Sequence, residues 1–188
     1  MIKLILQSVR HLLLWTVITG LVYPAVITVV AQLAFPKQAN GSLVERGTNI
    51  VGSALLAQQF TGTNYFWPRP SADTYATVAS GASNLGPTSG QQLTNVLTAI
   101  AAFQSGNNLA TNAPVPGDMV YASGSGLDPH ISPEAARLQI DRVAAARHLA
   151  VEKVRSLVAQ YTESPQLGFL GQPCVNVLLL NLALDAAK

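Results

Sequence analysis

Between Ser123 and His130 the chain gathers hydroxyl, carboxylate and imidazole groups, as Ser123, Gly124, Ser125, Gly126, Leu127, Asp128, Pro129 and His130. Serine, histidine and aspartate can together build a nucleophile and its base. Residues this close in sequence rarely place the base on the nucleophile, however, and the Gly-x-Ser-x-Gly elbow is absent. The residues therefore read as a tight turn into a helix. Asp128, His130 and Glu134 could be imagined as metal ligands, but such a trio without supporting cysteines or a second histidine is usually structural, so no metal is expected. Glycines ahead of a helix could cradle a phosphate through backbone N–H groups. Neither the dinucleotide pattern Gly-x-Gly-x-x-Gly nor the phosphate loop is present. No catalytic residue and no intrinsic cofactor are expected.

A second group, Tyr65, Phe66, Trp67 and Arg69, fits two readings. It is either an exposed partner surface or core with Arg69 stacked at its edge. Cys174 is the one cysteine, so it has no partner for an intramolecular disulfide and reads as a small buried apolar residue.

Composition narrows the function. The chain of 188 residues is 49% hydrophobic and 11% charged, with 11 Lys+Arg against 9 Asp+Glu. The small basic excess rests on Lys3 and Arg10, and without them the balance is even. A nucleic-acid binder needs a basic face to neutralise phosphates, and no Lys/Arg run supplies one. Low net charge with abundant Val, Leu, Ile and Ala disfavours disorder.

The hydrophobicity is concentrated from Leu12 to Leu33, where no charge interrupts the run. At about 1.5 Å per residue this is about 33 Å of helix, enough to cross a hydrocarbon core of about 30 Å. Lys3, Arg10 and His11 precede it and Pro36 and Lys37 follow, so the basic bias puts the N-terminus inside. A cleaved signal peptide is the rival reading, disfavoured because its apolar region is normally shorter. Pro24 removes one helix hydrogen bond and predicts a kink. With Gly20, Thr16, Thr19 and Gln32 it suggests a face that packs on another helix. Residues 1–11 thus read as a cytoplasmic tail, 12–35 as a transmembrane helix and 36–48 as a juxtamembrane linker. Residues 49–188 read as a small extracytoplasmic α/β (α+β) domain.

Within that domain Thr88 or Ser89 can cap a helix to about Gln104 whose apolar face is Leu93, Val96, Leu97, Ile100 and Ala101. A short strand is expected at Met119–Ala122. Ser132, Pro133 and Glu134 form a helix start with a capping hydroxyl, proline and an acid near the positive dipole end. The charges that follow, Arg137, Asp141, Arg142 and Arg147, read as a solvated face. Ala150–Tyr161 is a second amphipathic helix, and Val175–Leu182 is expected to be a buried strand.

These pieces, taken in order, resemble the C subunit of the bacterial Kdp system, the high-affinity potassium-transporting P-type ATPase. The resemblance is carried by the anchor, Gly52-Ser53 with Gln58 and Phe60, Tyr65 to Ser71, and Ser80 to Thr88. It continues through Ser123 to Pro133, Gln139 with Arg142, Val143, Ala144 and Arg147, and Val175 to Leu178 with Leu180 and Asn181. One departure is His148, where a glycine commonly separates two helices in the family. The resemblance implies a non-catalytic accessory subunit of the inner membrane. Its partners would be a channel-like potassium-binding A subunit, an ATP-hydrolysing B subunit and a small F subunit, with K+ and ATP/Mg as ligands of the complex.

Two roles follow from that resemblance. One is assembly, with the outer domain covering or shaping the potassium entrance; Pro24, Gly20, Tyr65, Trp67 and Arg69 are then candidate partner contacts. The other is a catalytic chaperone that raises ATP affinity, with Gln139 likened to the signature glutamine of ABC transporters and Ser123, Gly124, Ser125, Gly126 and Asp128 as its glycine-rich neighbours. Topology stands against the second, because the domain would lie outside and ATP inside. An anchored envelope binding protein or enzyme is the reading of another class.

Overall fold

The computed structural model describes residues 1–187. The chain divides into two compact units, Met1–Val51 and a second unit beginning at Gly52.

The first unit is dominated by one apolar helical rod, Ile2–Ala34, of 33 residues. At about 1.5 Å per residue it is about 50 Å long, more than a hydrocarbon core requires. It comprises α1 (Ile2–Val17), a π-helical turn (Ile18–Val22) and α2 (Tyr23–Ala34). Helix therefore begins at Ile2, and Lys3 and Arg10 ride on it. Pro24 has no N–H for the Gly20 carbonyl, and the backbone widens just before it, with the Tyr23 N–H donating to the Ile18 carbonyl. Thr19 and Thr28 turn their hydroxyls to their own helix, donating to the Trp15 and Pro24 carbonyls at 2.7 and 2.8 Å. Neither α1 nor α2 has a buried residue.

The linker stretch is more ordered than its small polar residues suggest. A short α3 (Pro36–Ala39) leads to β1 (Leu43–Arg46) and β2 (Asn49–Ser53), which pair as a two-stranded sheet. The turn between them uses Gly47 at φ +65°, a conformation glycine adopts without penalty.

The second unit is an α+β arrangement. Its elements are α4 (Gly90–Gly106), β3 (His130–Ile131), α5 (Pro133–Arg147), α6 (Val151–Gln160), β4 (Thr162–Glu163), β5 (Cys174–Asn176) and α7 (Val177–Ala186). The three strands form one antiparallel sheet in the order β3-β5-β4. Val175 and Ile131 point from the sheet into a core with Ala135, Ile140 and Val143 of α5, Val154 and Val158 of α6, and Leu180 and Leu184 of α7. Each large aliphatic side chain so buried contributes about 1.5–3 kcal/mol. The Ser132 hydroxyl caps α5 by accepting the Ala135 N–H at 3.0 Å, as its sequence predicts. His148 ends α5 in the left-handed region, φ +55° and ψ +37°.

Four expectations are corrected. Met119–Ala122 is not a strand; a 3-10 turn, Gly117–Met119, runs into its first residue. The apolar run after Cys174 is strand only to Asn176, whose side chain accepts the Leu179 N–H at 3.1 Å and starts α7. Val177, Leu180, Asn181 and Leu184 then fall on one buried helical face. The apolar face expected of α4 stays largely uncovered, with Leu93 and Leu97 60% and 58% exposed, while Phe103 and Gln104 are buried instead. The charges of α5 are not all solvated: Arg142 is buried and Arg147 is paired with Asp185 at 2.8 Å.

Candidate functional site

Residues 65–71 cross the second unit without belonging to any strand, yet Phe66 is fully buried. A buried backbone must find partners for its N–H and C=O groups, and here side chains of the flanking helices supply them. Asn181 of α7 accepts the Phe66 N–H at 2.8 Å and donates to the Phe66 carbonyl at 3.0 Å. Gln139 of α5 does the same for Trp67, accepting at 2.8 Å and donating at 3.4 Å. Two primary amides thus imitate the two edges of a neighbouring strand.

Arg142, one helical turn from Gln139, completes the arrangement. Its guanidinium donates to Gln139 Oε1 at 2.8 Å, Asn107 Oδ1 at 2.8 Å, and the Thr63 and Tyr65 carbonyls at 2.5 and 2.9 Å. It also lies over the Trp67 ring, 3.9 Å from the centroid. Burial pushes Arg142 down to about 10, so it remains a cation at neutral pH. These acceptors are neutral, and the cost of desolvating the charge is offset by the hydrogen bonds and the indole face. Arg147 repeats the theme more openly: it donates to the Asn64 carbonyl at 2.6 Å, pairs with Asp185, and stands over the Tyr65 ring at 4.8 Å. The cation stacked on the aromatic pair is therefore not Arg69, as the sequence suggested, but Arg142 on Trp67 and Arg147 on Tyr65. Opposite the indole, a Cβ on Gly106 would overlap the Trp67 ring, so that helix position has room only for hydrogen.

The same segment reaches the glycine-rich loop. The Ser123 N–H donates to the Pro70 carbonyl at 3.3 Å, and Arg69 Nη1 donates to Asp128 Oδ2 at 2.7 Å. Ser123 Oγ and Ser125 Oγ accept from the Asp128 and Leu127 N–H groups at 3.4 and 3.1 Å, so both hydroxyls are engaged in shaping the turn. Gly126 sits at φ +70°, and a Cβ there would come within 2.9 Å of the Gly81 carbonyl. Gly124 has open space beside it. Asp128 Oδ1 accepts the His130 N–H at 3.0 Å and lies 3.5 Å from His130 Nδ1. The imidazole, with Arg69 assisting, holds the Asp128 carboxyl down to about 2, and Asp128 in turn raises the His130 pKa. At the start of α5, Asp118 accepts the Ser132 N–H and hydroxyl at 2.6 and 3.2 Å, so a carboxylate already occupies the positive end of the helix.

Of the residues singled out in the sequence, Trp67 and Gln139 meet directly, and Arg69 meets Asp128. Glu134 is exposed in the first turn of α5, while Asp128 and His130 contact each other. Tyr65 and Trp67 are half-buried, and Gly20 and Pro24 lie in the exposed π turn and α2. The sequence reading puts Arg142 on a solvated face, takes Arg142 and Asn181 only as motif residues, and gives none of Arg142, Asn107 and Asn181 a part in the site. Asn181 had a signal, a lone amide inside an otherwise apolar run, and Arg142 had another, its three-residue spacing from Gln139 on one face of α5.

Comparison with known proteins gives a consistent answer. The family model of KdpC, described as the K+-transporting ATPase, c chain, matches residues 5–186. A potassium-transporting ATPase KdpC subunit of Methylococcus capsulatus is 51% identical over 180 residues, covering 94% of each chain. One from Mycobacterium tuberculosis is 50% identical over 183 residues, covering 96% of this chain and 97% of its own. One from Geobacter metallireducens is 50% identical over 182 residues, covering 95% of both. With a match that spans the N-terminal apolar helix, the embedded segment and the closing helix alike, the chain belongs to the KdpC family.

Proposed function

We propose that the chain is a non-catalytic accessory subunit of an ATP-driven potassium uptake complex, held in the cell membrane by Ile2–Ala34 with its second unit outside. Lys3 and Arg10 at the start of the rod support an inside N-terminus. The partners would be the channel-like A subunit, the ATP-hydrolysing B subunit and the small F subunit, and K+ and ATP/Mg would be ligands of the complex. The domain would act by docking on the channel-like subunit, stabilising the assembly and shaping its potassium entrance.

The observation that carries this reading is apolar surface left uncovered by the domain's own fold. Leu93 and Leu97 on α4, and Leu167 and Phe169 at a turn tip, are 60%, 58%, 83% and 75% exposed. Exposed apolar side chains of this kind support a role in which another protein covers them. The chaperone reading asks Gln139 to meet a nucleotide, but its amide is fully buried and bonded to Trp67 and Arg142. That geometry favours the assembly role.

The test is co-purification in mild detergent of the Leu93→Glu/Leu97→Glu variant. The expected result is a native circular dichroism spectrum with several-fold less of the larger subunits recovered. Undiminished recovery and transport would remove α4 from the interface. A wild-type chain that purifies alone would instead favour an independent envelope protein.

A further inference from the structure

The outer face of the three-stranded sheet brings together a histidine, a carboxylate and a thiol from three different strands. Pairing in β4-β5 sets Glu163 opposite Cys174, and pairing in β3-β5 sets His130 opposite Asn176. Cys174 and Asn176 are two residues apart on β5, so the pleat puts all four on one face, while Val175 and Ile131 take the other and enter the core. An imidazole nitrogen of His130, a carboxylate oxygen of Glu163 and Cys174 Sγ lie within 4.8 Å of one another. The trio conceivable from sequence, Asp128, His130 and Glu134, reads as structural; strand pairing instead brings Glu163 and Cys174 beside His130.

We propose that His130, Glu163 and Cys174 form a binding site for a borderline-soft divalent cation of the Zn2+ class, with water in the fourth position. The donor set is the argument for the class: nitrogen, oxygen and sulfur together suit zinc, whereas magnesium and calcium take oxygen alone. A carboxylate behind the histidine is the second observation. Asp128 Oδ1 lies 3.5 Å from His130 Nδ1, and Asp128 is itself fixed by Arg69 at 2.7 Å. A metal-binding imidazole commonly shows one nitrogen to a carboxylate and the other to the ion, so Nε2 is the nitrogen left for the cation. Tetrahedral bonds to sulfur and nitrogen would put those donors about 3.6 Å apart, so a pair at the 4.8 Å limit would close by about 1 Å on binding. As the metal–sulfur bond forms, the Cys174 thiol releases its proton to solvent and binds as thiolate. The bound ion would tie β3, β4 and β5 together across their outer face.

The probes are Co2+, whose spectrum reports its ligands, and Zn2+ as competitor, added to the full-length chain in mild detergent under reducing conditions at neutral pH. The expected result is one equivalent of Co2+ bound, with a thiolate charge-transfer absorption and tetrahedral d–d bands that Zn2+ abolishes. Cys174→Ser should lose the charge-transfer absorption, and Glu163→Gln, at an exposed position, should weaken binding at least 10-fold while leaving the circular dichroism spectrum native. Failure to bind one equivalent of Co2+, or the same spectrum and affinity in both variants, would overturn the proposal.

Discussion

The side-chain amide of Gln139 closes a two-way hydrogen-bond pair on the backbone of Trp67, accepting its N–H at 2.8 Å and donating to its carbonyl at 3.4 Å. The pair fastens a strandless segment to α5, and Asn181 fastens the preceding residue to α7 in the same way. Residues of the family motif that look like a binding constellation are thereby engaged in holding the domain together.

Gln139→Ala should therefore be felt in stability. It leaves the Trp67 N–H without its acceptor and removes one of the acceptors of Arg142, and each buried group so orphaned costs about 1–3 kcal/mol. Thermal unfolding in detergent should show a clear drop in midpoint. In an assembled complex that remains intact, the apparent KM for ATP should stay near the wild-type value; a large selective rise would restore the nucleotide role.

Alkaline titration gives a separate check. Tyr75 donates its hydroxyl to the Arg69 carbonyl at 2.7 Å, and burial pushes its phenol up to about 12 from the usual 10. The fold favours the neutral phenol, so this contribution to stability is full below about pH 10 and is lost as pH rises through about 12. Ultraviolet absorbance should show a late phenolate step near pH 12 that Tyr75→Phe removes. A titration unchanged by that substitution would contradict the assignment.

His148 holds a left-handed backbone at φ +55° with its side chain exposed. A non-glycine residue there costs about 1–2 kcal/mol, and glycine gives back about 0.4–1 kcal/mol through the greater freedom of the unfolded chain. His148→Gly should stabilise the domain by about 0.5–1 kcal/mol, read as a raised unfolding midpoint. A lowered midpoint would show that the imidazole makes a contribution outweighing the strain.

The parts legible in the sequence are those governed by local rules. The N-terminal apolar helix follows from an uninterrupted apolar run and the start of α5 from Ser132 and Pro133, while the family's glycine points to a break near His148 without fixing its place. What escaped depends on distant partners. Val177–Ala186 is apolar at nearly every position, so no periodicity distinguishes helix from strand, and the Asn176 cap decides it. Leu93 and Leu97 obey helical spacing perfectly well, but spacing does not say whether the chain itself covers the face. Arg142 looked like one more surface charge because its acceptors, Thr63, Tyr65 and Asn107, lie far away in sequence. The His130, Glu163 and Cys174 group likewise exists only through strand pairing.

The side of the membrane on which the domain lies tests the central claim most directly. Asn107, just past the end of α4, is only 4% exposed and accepts a hydrogen bond from Arg142, so the reporter belongs at the exposed Thr111. Thr111→Cys, in a chain with Cys174→Ser, would be treated with an impermeant thiol reagent on intact cells or spheroplasts. Labelling from outside is the predicted result, and it would leave direct contact with cytoplasmic ATP untenable. Protection until the membrane is opened, in a chain shown to be expressed and folded, would contradict the account and make the nucleotide-handling role the leading one.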